Sequence, residues 1–226
     1  MANAAKISIE FFHDAMSCWC YPVSPRLRNL VREHPEVEVV QRSFAIFRSR
    51  ELMLKVFPSR EAAKKEICMV HWWQARELEK DDRIQCEKMM AQPFDYPYSM
   101  PNLLGGKAAE LQGGQAAHWD YFDRVQHAHL TECRNIAETD VLRDCARDIG
   151  LDVDRWQKDF ESPQAQQAVD SDLARLKQYG IGRTPALVAN GRYQCLGYPK
   201  SIYGATISTE HLEIFYNDVR RELVPL

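Results

Sequence analysis

The stretch from Lys6 to Phe44 constrains the fold more than any other part of this chain. Ile7, Ile9 and Phe11 alternate with Ser8 and Glu10, which predicts a strand reaching His13, with Phe12 as the exception to the alternation. Pro25, Leu27, Leu30 and Val31 then follow helical spacing until His34-Pro35 stops it. Val37, Val39 and Val40 make a second strand ending near Phe44. The result is a β-α-β unit whose first strand-to-helix turn carries Ser17-Cys18-Trp19-Cys20.

Delivering cysteines from a strand to the start of a helix is how thiol-disulfide enzymes present a reactive sulfur. In the first turn of a helix, residues three apart share a face, so Ser17 and Cys20 can meet, whereas Cys18 and Cys20 point to roughly opposite sides. A Cys18–Cys20 disulfide therefore needs non-helical backbone, and would be strained and easily reduced. Unpaired N–H groups and the dipole at a helix start favour a thiolate, lowering a cysteine below its free value of about 8.5. By that argument Cys18 is the better-placed nucleophile, with a depressed pKa. The plainer reading makes Cys20 a buried small hydrophobe and Cys18 a surface residue.

After Ser59 the pattern is almost wholly helical as far as Tyr179. Ala62, Ala63, Ile67 and Val70 lead one segment, which Pro93-Phe94-Asp95-Tyr96-Pro97 breaks. Lys107 to Leu111, Ala116 to Leu130, Thr139 to Ile149 with Gly150 as a stop, and a helix opened by Ser162-Pro163 supply the others. Beyond Gly180 the period returns to two: Ala186 to Ala189 and Arg192 to Leu196 flank Asn190-Gly191, a strong hairpin signal. A last amphipathic helix carries Leu212, Phe215, Tyr216, Val219 and Leu223. The predicted organisation is a domain made of residues 1–58 and 180–226, interrupted by a helical domain over residues 59–179.

Composition narrows the function. A net charge of −3 provides no broad basic field for nucleic acid, and no run approaches the ~18 apolar residues of a membrane span. With no apolar signal segment near Met1 and an odd count of seven cysteines, the expected compartment is the reducing cytoplasm, where any disulfide is transient.

The outline β-α-β, helical insertion, β-β-α, with Thr184-Pro185 at the mouth of the third strand, resembles the thioredoxin fold of the DsbA family. It is most similar to the FrnE-like branch, whose neighbours are 2-hydroxychromene-2-carboxylate isomerases and kappa-class glutathione transferases. The motifs that carry the resemblance are His13 to Tyr21, Thr139 to Leu151, and Gly180-Ile181-Gly182-Arg183-Thr184-Pro185-Ala186 followed by Asn190-Gly191. The resemblance implies an α/β thioredoxin fold with a large all-helical insertion, a cis Pro185, a docking edge at Thr184 for a peptide or glutathione, and Trp19 as a further substrate-binding residue. It also implies that Ser17 stands where family oxidoreductases carry the nucleophilic cysteine. Serine there is what the kappa-class transferases and the chromene isomerase use to hold the thiolate of bound glutathione.

Three functions follow as expectations. The first is a cytoplasmic thiol-disulfide oxidoreductase or isomerase, with Cys18 attacking and Cys20, or glutathione, resolving. The second is a glutathione-dependent isomerase or transferase with Ser17 activating the cofactor thiol. The third is a redox-inactive binding module. Partners are then protein or small-molecule thiols and disulfides; glutathione enters only as a co-substrate, with no resident cofactor, metal, nucleic acid or membrane.

Other clusters read as structure. His127 and His129 point apart on a helix, giving a solvated face rather than a metal site with Cys133; His13 with Cys18 and Cys20 could bind a soft metal, but the structural reading outweighs it. His71-Trp72-Trp73 and Met89-Met90 are expected in the core, or lining a cleft beneath the helical insertion. Gly105-Gly106-Lys107 lacks the first glycine and the Ser/Thr of a phosphate loop and, like Gly113-Gly114, reads as a turn. Cys68, Cys86, Cys133, Cys145 and Cys195 read as isolated structural thiols.

Overall fold

Side chains alternating about the first strand set the two layers of packing. The computed structural model describes residues 6–201 and 204–223. Strand β1 (Ile7–His13) is followed by α1 (Val23–Glu33) and β2 (Val37–Ser43), and β1 pairs with β2 in parallel, Ile7 opposite Val37 and His13 opposite Ser43. β3 (Ala186–Ala189) returns antiparallel to β1 with Ala186 opposite Phe12, and β4 (Tyr193–Leu196) pairs antiparallel with β3, giving the order β2-β1-β3-β4. The sheet, with its helices between β2 and β3, is a thioredoxin fold carrying a large helical insertion.

Ile7, Ile9 and Phe11 join the main core with Leu27 and Leu30 of α1. Phe12 is no exception to the alternation: it faces the opposite side, where Leu176, Ile181, Ala186 and Val188 bury it completely. Glu10 shares that side, buried, paired with Arg42 at 2.8 Å and accepting from the hydroxyl of Tyr179 at 2.8 Å. Both faces of the strand are therefore covered, which is why its sequence is so apolar.

The inserted helices are α2 (Arg50–Met53), α3 (Arg60–Glu66), a π-helical segment (Ile67–Trp72), α4 (Trp73–Glu79), α5 (Cys86–Met90), α6 (Ser99–Leu130), α7 (Thr139–Asp148), α8 (Val153–Phe160) and α9 (Pro163–Gln178). Ser162 caps α9 by accepting from the Ala165 N–H, and Gly150 ends the α7 turn at a φ of 79°, as their sequence signals predict. A short pair, β5 (Tyr198–Ser201) with β6 (Gly204–Thr206), precedes the terminal helix α10 (Thr209–Leu223). At the hairpin between β3 and β4, Asn190 and Gly191 both take positive φ (51° and 70°), the conformation a primed turn requires.

The paired glycines divide. Gly113 and Gly114 do break α6, with Gly114 at φ 68°. Gly105 and Gly106 are not a turn; they lie inside the helix, because the missing side chains let Tyr121 and His118 pack on the backbone. A Cβ on Gly105 would stand 2.4 Å from the Tyr121 hydroxyl, and one on Gly106 would stand 2.7 Å from His118 Nε2. Among the described residues, no helix is long and apolar enough to cross a membrane.

Candidate active site

Three consecutive turns carry the chain from β1 to α1. Ser17 N donates to Asp14 O at 2.9 Å, Cys20 N to Ser17 O at 3.1 Å, and Val23 N to Cys20 O at 3.1 Å. The helix begins only at Val23, with Pro22 at its N-cap and Pro25 in its first turn, where a missing N–H costs no hydrogen bond. The expectation that Cys18 sits on the helix start is therefore corrected. Cys18 lies before the helix and is only 4% exposed, and burial, reinforced by the neighbouring Cys20 and Cys86, pushes its thiol well above the ordinary value instead of below it.

The two cysteines of the turn have different partners. Cys18 Sγ points at the backbone carbonyl of His71, 3.7 Å away in the π-helical segment. Cys20 is fully buried, and its Sγ is 3.2 Å from Thr184 Oγ1. Burial raises the Cys20 thiol to about 11, and its hydrogen-bonding neighbours Ser17 and Thr184 act in the opposite direction. The Thr184–Pro185 peptide is cis, as the resemblance implies. All seven cysteines are free thiols.

Asp14 fixes this turn. Its buried carboxylate accepts from Met16 N at 3.0 Å, Ile46 N at 3.0 Å and Asn102 Nδ2 at 3.2 Å, joining the turn to the loop after β2 and to α6. Burial nonetheless holds its pKa above the usual carboxylate range. Gln126 Nε2, also buried, donates to Ser17 O at 2.9 Å.

Above the turn is an apolar cleft of about 280 Å³. Its lining includes Ser17, Cys18 and Trp19 of the turn together with Phe47, Phe57 and Trp72. Trp72 Nε1 donates to Tyr96 Oη at 3.0 Å, and that hydroxyl also meets His129 Nε2 at 3.0 Å and Met16 O at 3.3 Å, which ties the roof to the turn. Trp72 and His71 thus line the cleft, whereas Trp73 is 46% exposed and outside the core expected for it. Likewise His127 is on a solvated face but His129 is fully buried, because its ring fills the space behind Tyr96 and Trp72. Ser17, Cys18, Cys20, Trp19, Thr184 and Pro185 are the residues singled out from the sequence. Asp14, Tyr96 and the His71 carbonyl were not among them, although Asp14 lies inside the motif and Tyr96 inside the Pro93–Pro97 break.

A family profile described as thioredoxin matches residues 11–195, which spans the turn, the insertion and the segment through β4. The chain belongs to the thioredoxin family. Among curated relatives, a ClpXP adapter protein SpxH from Shouchella clausii is 28% identical over 87% of this chain, and the chain spans 64% of that protein's length. Among solved structures, the cytosolic disulfide reductase DsbM from Pseudomonas aeruginosa with GSH is similar at a TM-score of 0.66 and 18% identity, covering 95% of this chain and 99% of that one. A 2-hydroxychromene-2-carboxylate isomerase is similar at a TM-score of 0.63 and 14% identity, with 95% of each chain covered. These structural likenesses carry the fold.

Proposed function

We propose that this protein is a cytoplasmic, glutathione-linked thiol-disulfide oxidoreductase in which Cys18 is the sulfur that meets substrate. The observation that carries the reading is the division of labour in the turn: Cys18 is on the cleft wall, while Cys20 lies beneath it against Thr184. The sulfurs bond to different elements, so a Cys18–Cys20 bridge requires the turn to rearrange, and a single-thiol route does not. Cys18, losing its proton on attack, forms a mixed disulfide with one half of the substrate and releases the other half as a thiol. One glutathione then displaces the first half, leaving Cys18 joined to glutathione, and a second glutathione releases oxidised glutathione and restores the Cys18 thiol. Overall, one substrate disulfide is reduced to two thiols and two glutathiones are oxidised to their disulfide.

Thr184 supplies the docking edge. The residue before Pro185 offers its backbone to an extended peptide, in the manner of an added strand. The solved DsbM relative, cytosolic by its name and crystallised with GSH, supports both the co-substrate and the compartment. The test is glutathione-dependent reduction of a small disulfide: Cys18→Ala loses turnover, and Cys20→Ala keeps it within about threefold.

A second reading is favoured by the position of Ser17, which shares the cleft wall with Cys18 and hydrogen-bonds Cys20. Its hydroxyl would donate to the sulfur of bound glutathione, as in a glutathione-dependent isomerase or transferase. In that case Ser17→Ala is the variant that loses turnover and Cys18→Ala stays active. The adapter name of the SpxH relatives points to protein partners. Binding of a protein that persists in both variants, with no turnover in the wild type, would identify a redox-inactive module.

A further inference from the structure

The cleft recognises no charge. Its lining residues include no lysine, arginine, aspartate or glutamate, so any carboxylate on an incoming thiol must be met outside it. Several arginines are already neutralised: Arg42 pairs with Glu10 and Asp172, Arg175 with Glu10, and Arg48 with Asp170. Arg183 differs. It is exposed, directly precedes Thr184, and takes part in no ion pair among the described residues. Gly182 beside it is exposed too, and a Cβ built there meets nothing within 4 Å, so the surface at this end of the edge is open to a ligand.

We infer that Arg183 is the carboxylate-recognising, specificity-determining residue of the docking edge, and that the thiol partner it selects is anionic. The inference rests on the oxidoreductase reading for the location of the edge. Consecutive residues of an extended chain are about 3.3 Å apart. A peptide paired with Thr184 therefore carries its neighbouring groups past the residues adjoining Thr184, of which the exposed Arg183 is one. A guanidinium presents a planar fork that matches a carboxylate two-pronged, and an unpaired one needs no partner displaced first. In a chain of net charge −3, an uncommitted cation at this point also favours approach of an anion locally against the overall field. The carboxylate has two sources, a free thiol tripeptide such as glutathione or an acidic residue flanking a client cysteine.

The test uses S-methylglutathione, which binds without forming a disulfide, and its dimethyl ester, both titrated calorimetrically into the full chain. Wild type should bind the acid more tightly than the ester; Arg183→Ala should weaken the acid about threefold to fivefold and Arg183→Glu about tenfold, with the ester unaffected. Equal affinity of wild type and Arg183→Glu for the acid, or no binding to wild type at millimolar concentration, overturns the inference. A pair of cysteine peptides with Glu or Gln next to the sulfur separates the sources. Discrimination that Arg183→Glu abolishes assigns the site to clients as well; no discrimination restricts it to the tripeptide. Failure of the oxidoreductase reading is read separately, as retained turnover in Cys18→Ala.

Discussion

The Sγ of Cys20 lies 3.2 Å from the Oγ1 of Thr184, a contact that closes the site across 164 residues of sequence. Thr184 already donates its one hydroxyl proton to Phe12 O at 3.0 Å, so Cys20 is the donor to Thr184, as a neutral thiol. Thr184→Val keeps the shape but removes the acceptor of the buried Cys20 thiol and the hydroxyl donor to Phe12 O. It should lower stability by about 1–3 kcal/mol, read from the denaturant midpoint, while Thr184→Ser stays near wild type.

Tyr96 should be as sensitive. Its hydroxyl accepts from Trp72 and reaches His129 and Met16, so Tyr96→Phe leaves the buried Trp72 N–H unpaired. The expected loss is about 1–3 kcal/mol, together with faster alkylation of Cys18 as the roof over it loosens. Unchanged alkylation would mean that the roof is held by packing alone.

Acid should destabilise the fold well before its carboxylates titrate. Burial holds His129 neutral in the folded state down to about 3, against an ordinary value of 6.5, and shifts His13 and His118 in the same direction. The unfolded chain therefore takes up protons first. The contribution of His129 is full above about pH 6.5 and is lost as pH drops toward 3, by about 1.4 kcal/mol per pH unit, and His13 and His118 act in the same direction. His129→Gln should flatten the dependence by up to one proton over that window, measured by urea unfolding at successive pH values.

The succession of elements along the chain and the helical insertion were legible because they rest on periodicity and on Gly, Pro and capping residues, signals carried locally. Phe12 shows where the reading stops: its burial depends on Leu176 and Ile181, which no local pattern links to it. Gly105 reads locally as a turn, and only Tyr121, arriving from the second half of α6, explains why it is helical. In the candidate site, Ser17, Cys20 and Thr184 were singled out from the motif and the family resemblance, and the structure brings them into contact. The pKa shift expected of Cys18 has the opposite direction, because the turn postpones the helix to Val23 and burial raises the thiol.

That account of Gly105 has its own check. Gly105→Ala forces a Cβ against the Tyr121 hydroxyl and should cost about 1–3 kcal/mol, whereas Gly182→Ala, with open space around it, should be within about 0.5 kcal/mol of wild type. Equal melting temperatures for the two would contradict the close packing of the α6 halves.

The most direct test of the central claim is to trap the enzyme with oxidised glutathione and locate the adduct by peptide mass spectrometry. The account predicts a single glutathione on Cys18 in the wild type and in Cys20→Ser, and none in Cys18→Ala. An adduct on Cys20, a Cys18–Cys20 bridge in place of the adduct, or an unmodified protein that still turns over disulfide would contradict it.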